Sequence, residues 1–265
     1  RAIFAYGDTG SVTNISNLVN SSGVVAADVT GVGTARAGLA AATYGGDKAI
    51  FAFGGGYSNL SNLVTNVGVV GTNQTGVGTA RDFLAATSYG GDKAIFGYGN
   101  IYSGGYVIYS LKNLVSNSGV VASDVTGVGT ARRELSATTY GGDKGMFAYG
   151  NSGGATMVSL KNLISNTGVV AADVSGVGTA RNLLAAASYG ENKAIFAYGQ
   201  SSGGNTNVSN LVTNLGVIGA DVTGVGTSRR GVAAASYGGD KGVFAFGYSS
   251  ANVSLKNLVN NSGVI

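Results

Sequence analysis

Short apolar runs alternate with breaks rich in Gly, Asn and Ser along the whole chain, and they return in the same order. In one unit, residues 39–44 are small and apolar. Residues 48–53 then put Phe51 and Phe53 on one face of an extended chain and Ile50 and Ala52 on the other. Gly45-Gly46-Asp47 between the two runs is a hairpin turn signal. A third apolar segment covers about 61–65. A fourth covers about 68–72, after a turn at Asn66-Val67 that returns as Asn20-Ser21-Ser22-Gly23 and Asn117-Ser118-Gly119. Leu39-Ala40-Ala41-Ala42 has helical propensity, but the run is short and closed by Gly-Gly, well under ordinary helix length. The pattern predicts four short strands per unit.

The units form a tandem array. The arginine of Gly-Val-Gly-Thr-Ala/Ser-Arg recurs as Arg36, Arg81, Arg132, Arg181 and Arg229, at spacings of 45, 51, 49 and 48. Phe4, Phe51, Phe96, Phe147, Phe196 and Phe244 mark the second segments; Leu18, Leu63, Leu114, Leu163, Leu211 and Leu258 mark the third. Leu to Arg is always 18 residues and Arg to Phe always 15, whereas Phe to Leu runs 14, 12, 18, 16, 15 and 14. All length variation therefore falls in the loop between the second and third segments.

Four short strands in about 48 residues, repeated, predict an all-β fold: a β-propeller of four-stranded antiparallel blades. A β-solenoid is the alternative, with coils that are usually shorter. Ala and Gly suit a first strand crowded around a central axis; Phe and Tyr suit a second strand buried on both faces. The residues Arg81…Leu84-Ala85-Ala86…Tyr89-Gly90-Gly91-Asp92-Lys93-Ala94-Ile95-Phe96-Gly97-Tyr98-Gly99 carry a resemblance to the kelch-type propeller repeat. It extends over the whole chain. The family's double Gly after the second strand appears cleanly only at Gly54-Gly55, and its fourth-strand Trp is missing throughout. In the near-identity of its units the chain also resembles repetitive propellers of phage tails and microbial surface proteins. The divisions are 1–33, 34–78, 79–129, 130–178, 179–226 and 227–265. Six blades are preferred to five, the first lacking its inner strand, because the chain opens inside a second segment. In kelch-like propellers a strand from the far terminus commonly completes the first blade; here it would follow Ile265.

Composition narrows the chemistry. Among 265 residues there are 47 Gly and no Pro, Cys, His or Trp. Without Cys there is no disulfide framework or thiolate, and without His the commonest general base and transition-metal ligand are missing. A net charge of +4 with 11% charged residues is too dilute for a nucleic-acid footprint. The apolar runs are too short for membrane insertion. No signal peptide is visible, and Arg1 in place of Met reads as a processing boundary.

Strand alternation puts the short, constant turns on one face of the disc. The variable loops and the Gly-Val-Gly-Thr-Ala-Arg segments lie on the other, the candidate ligand face. Its polar and aromatic residues include Tyr57, Tyr102, Tyr106, Tyr109, Asn151, Asn205 and Tyr248. Tyr with Ser, Asn and Gly suits adaptable recognition, and a carbohydrate in particular; the plain alternative is soluble loop. The loop with three Tyr is the best single candidate. Arg36, Arg81, Arg132, Arg181 and Arg229 have two readings. One is a ring of guanidinium groups for an anionic ligand. The favoured one is a blade clamp that pairs each Arg with the Asp eight residues before it, as with Asp28, Asp124, Asp173 and Asp221, while Asn73 stands before Arg81. Asp47-Lys48 and its counterparts read as solvated turn charges. Gly-Val-Gly-Thr-Ala-Arg lacks the ending of a phosphate loop and reads as a connection between blades.

The expected function is a non-enzymatic recognition or adhesion module at an extracellular or virion surface. It would bind a glycan or cell-surface ligand with avidity through repeated sites, without metal or cofactor. The alternative is a structural component, such as a virion or tail protein that uses the disc to dock, with oligomers in view. Asp82 and Glu134, in neighbouring units, are the one conceivable catalytic carboxylate pair.

Overall fold

The computed structural model describes residues 1–265. It contains twenty-one strands and no helix, so the chain is all-β. Five three-stranded antiparallel sheets repeat one plan, with the second strand of each unit in the middle. In the second unit Ala40–Tyr44 pairs with Lys48–Ala52, which pairs with Ser61–Val64. The Gly45-Gly46-Asp47 turn sets the register, so that Tyr44 faces Lys48 and Ala40 faces Ala52. Both glycines have the positive φ that this turn demands. The first unit has two strands, Ala2–Asp8 and Val12–Val19. Two loop hairpins complete the set: Asn100–Tyr102 with Tyr106–Ile108, and Gln200–Ser201 with Gly204–Asn205.

The expected fourth strand is not regular. In the second unit it touches the third strand only at single bridges, Val64 with Val70 and Ser61 with Gln74. The cause is a buried side chain. Asn62 is fully buried, and its amide donates to the Gly71 carbonyl at 3.0 Å, which takes that carbonyl out of a ladder. Asn113, Asn162 and Asn210 do the same to Ala122, Ala171 and Gly219.

The core lies between sheets rather than within one. The second strand of each of the last five units is buried on both faces, as its near-continuous apolar run requires; that of the first unit, Ala2–Asp8, is only half-buried on one face. Six apolar clusters result, each shared by two neighbouring units. Aromatic pairs trace the same path: Tyr6–Phe51, Phe53–Phe96, Tyr98–Phe147, Tyr149–Phe196, Tyr198–Phe244 and, back to the first unit, Phe246–Phe4, all with centroids 5.1–5.5 Å apart. Lys256 of the last unit also donates to the Gly23 carbonyl of the first at 3.2 Å.

The five first strands run side by side. With Arg1, Ala2 and Ile3 they line a cavity of about 300 Å³, walled largely by Ala, Thr and Ser. Backbone hydrogen bonds lace the units at both ends of these strands. At one end Gly45, Gly90, Gly141 and Gly190 donate to Asp92, Asp143, Asn192 and Asp240 of the next unit, at 2.7–2.8 Å. At the other, Phe83, Glu134, Leu183 and Gly231 donate to Gly38, Phe83, Glu134 and Leu183 of the unit before, at 2.8–2.9 Å.

Candidate functional site

The five repeated arginines do not reach the surface. All are 0–1% exposed. Arg81 shows the pattern. Its Nε donates to the Tyr98 carbonyl at 2.7 Å, one terminal nitrogen to the Thr79 carbonyl and the other to Asn113 Oδ1 at 2.6 Å. Its guanidinium stacks on Phe53 of the preceding unit, 4.5 Å from the ring centroid. Arg36, Arg132, Arg181 and Arg229 stack in the same way on Tyr6, Tyr98, Tyr149 and Tyr198. Each aromatic holds φ of 63–67° and is followed by a Gly whose N–H donates to the backbone carbonyl of that same Arg. Arg132 and Arg181 leave a buried Nε without a partner, but every one of the five guanidinium groups lies between two units and out of reach of a ligand at the surface.

The acidic partner differs from the sequence expectation. Arg81, Arg132 and Arg181 face Asp124, Asp173 and Asp221 at 3.7, 3.2 and 3.9 Å. These are the aspartates about 40 residues downstream, not those eight residues upstream. The reason is that the Gly-Thr-Ala-Arg segment closes its own unit against that unit's fourth segment. Thr79 donates to Asp124 through both N–H and hydroxyl, at 2.8 and 2.6 Å. Asn73 replaces the aspartate in the second unit and receives the Thr34 N–H. Burial alone would raise the Asp124 carboxyl, but hydrogen bonds from Thr79 and Asn113 and the charge of Arg81 hold it below its ordinary range. Burial pushes Arg81 down to about 10, which leaves it charged at neutral pH. The Asn at the centre of each clamp, buried in all but the last, escaped the sequence reading. Its signal was the Asn before every Leu marker, six times over.

On the variable-loop face the candidates separate. Tyr102 and Tyr106 are 53% and 57% exposed and meet edge-to-face on one hairpin, centroids 5.2 Å apart. Arg133 lies over the Tyr106 ring at 3.7 Å. Tyr248 is exposed, with Arg230 5.0 Å from its ring centroid, and Asn205 ties the two loops by donating to the Tyr248 and Ser249 carbonyls. Tyr57 is exposed at the tip of the short loop. Tyr109 is half-buried, and its backbone bonds to Gly99 and Arg132. Asn151 is buried and holds its own loop turn through Gly153 and Gly154. The structure therefore brings Tyr102 and Tyr106 together and gives Asn151 to the scaffold. It also adds Arg133 and Arg230, each placed one residue after a clamp arginine.

On the opposite face, Asp47, Asp92 and Asp240 pair with the next Lys at 3.4, 2.9 and 2.8 Å as turn charges, the first exposed and the other two half-exposed. No group of three or more acidic, His or Cys side chains is placed to hold a metal ion. No protein-family model matches the chain, and no curated protein is similar to it.

Proposed function

We propose that the chain is a non-enzymatic recognition module: a six-bladed, kelch-like propeller whose first blade lacks an inner strand and whose variable-loop face binds a glycan on a cell or virion surface. The closed cycle of aromatic pairs, ending at Phe246–Phe4, supports the six-bladed arrangement. The observation that carries the binding reading is the exposed Tyr102–Tyr106 pair, held by Arg133 on a hairpin of its own. Rigid exposed rings offer an apolar plane to a sugar face at little entropic cost. The test is a printed array of defined oligosaccharides, probed with the parent protein and with Tyr102→Ala/Tyr106→Ala. Binding by the parent that falls at least tenfold in the variant supports the reading; absence of any binding by the parent sinks it.

An assembly role is the second reading, and one observation favours it. Val24, Val69, Val120, Val169, Val217 and Val264, at the same position of every unit, are 53–65% exposed. A repeated apolar rim of this kind suits docking. Concentration-dependent association in light scattering, lost when two of these valines are changed to Ser, would move the function to assembly.

A further inference from the structure

From the base of the Tyr102–Tyr106 hairpin runs a string of polar side chains contributed by three consecutive units. Asp82 pairs backbone to backbone with Asn100, which leads into the hairpin. Arg133, from the next unit, covers Tyr106 and lies 3.7 Å from Glu134. Glu134 in turn accepts from the Asn182 amide of the unit after that. Glu134 sits at φ 56°, in the left-handed region that a non-Gly residue enters at a cost. The Asp82 carboxyl is close to Arg133 and Glu134, and burial pushes it up to about 6.

The string is under-used in the free protein. Asn100 is 1% exposed, and neither end of its amide has a partner. It stands near enough to favour the charged Asp82 carboxyl, but without the geometry of a hydrogen bond. Asp82 Oδ1, Arg133 Nε and Asn182 Oδ1 are also buried without partners. Buried polar groups are almost always satisfied, so five idle atoms along one connected string call for something to fill them. The set contains both donors and acceptors. A metal cation would use only the oxygens and would meet the Arg133 charge. A ligand with neighbouring hydroxyls uses both kinds of atom.

We propose that Asp82, Asn100, Arg133, Glu134 and Asn182 form a saccharide subsite whose apolar wall is the Tyr102–Tyr106 pair. This rests on the recognition reading above and names the place where it acts. Arg133 swings off the Tyr106 ring, which frees a ring face and opens the amides. Asp82 and Glu134 then accept from sugar hydroxyls, while Arg133 and Asn100 donate.

The test takes the array oligosaccharide with the strongest signal and titrates it, by tyrosine fluorescence, into the parent, Asp82→Asn, Asn182→Ala and Asp143→Asn. Asp143 lies on the opposite face and should leave binding as in the parent. A loss of tenfold or more in both Asp82→Asn and Asn182→Ala, each still cooperatively folded, is expected. If both bind within twofold of the parent, the subsite is wrong and the recognition reading stands. If the parent binds no oligosaccharide, both fall. If calcium instead raises the melting temperature of the parent but not of Asp82→Asn, the site belongs to a cation and the saccharide assignment is overturned.

Discussion

The arginine clamp is the residue on which neighbouring units depend most. A guanidinium that stacks on one unit while bonding to a carbonyl, an amide and a carboxylate of another cannot be replaced by a point charge. Arg132→Lys keeps the charge but loses the stack on Tyr98 and the fork to Asn162 and Asp173. The expected cost is about 3 kcal/mol, read from urea unfolding, as for other broken buried pairs. The aspartates should be milder, because the second unit already works with Asn73. Asp124→Asn is expected to cost about 1 kcal/mol at pH 7. Since the Asp124, Asp173 and Asp221 carboxyls are held low, their contribution is full above about pH 4 and disappears as the pH falls below it. Asp82 has the opposite sign. Its carboxyl is raised to about 6, so its contribution is greatest below pH 4 and is lost as the pH rises through 6. Asp82→Asn should therefore raise stability by about 1 kcal/mol at pH 7, after allowance for its half-exposed position. It should also flatten the profile between pH 4 and 6. Unfolding curves at pH 4, 5, 6 and 7 would show this; an unchanged slope would mean that the carboxyl is not desolvated.

At the scale of the strand and loop, much was readable from spacing. The constant Arg-to-Phe distance located the first hairpin, and the observed strands Ala40–Tyr44 and Lys48–Ala52 fall inside the expected 39–44 and 48–53. The variable Phe-to-Leu distance located the loops that carry Tyr102, Tyr106 and Tyr248. Spacing failed where a side chain, not the backbone period, decides the structure. The fourth segment has strand-like residues, yet Asn62 and its counterparts take the carbonyls that its ladder would need. The Arg partner was misplaced for a related reason: nearness along the chain was read as nearness in space, while the sheet brings Asp124 to Arg81 from the far end of the unit. The idle Asn100 amide was invisible in sequence, because only the approach of three units shows that it lacks a partner.

At the scale of the molecule, stability should be uneven along the array of units. The clusters that join the first unit to its neighbours hold five and three buried residues, against eight or nine elsewhere. The first unit has no first strand and hence no counterpart of Tyr44 or Tyr89. Those rings lie close against Gly119 and Gly168 of the next unit; at the equivalent Gly68 there is only Leu18. Nearest-neighbour stability of this kind makes the unit with the poorest interfaces open first. Amide hydrogen exchange is expected to be fastest in Ala2–Asp8 and Val12–Val19 and slowest in Lys144–Ala148 and Lys193–Ala197. Uniform protection in all these strands would contradict the uneven packing. The proposed recognition, in turn, would depend on the stiff units. The hairpin that carries Tyr102 and Tyr106 rises from the third unit, and the Arg133 that covers Tyr106 comes from the next one. The most direct measurement replaces residues 101–109 with the short loop 55–57 and compares parent and variant for oligosaccharide binding and melting temperature. A lost signal with only a small drop in melting temperature is expected, since the exchange removes the Arg133–Tyr106 stack and the Arg132 bond to the Tyr109 carbonyl but none of the apolar clusters between units. Undiminished binding by the shortened protein would contradict recognition through this face.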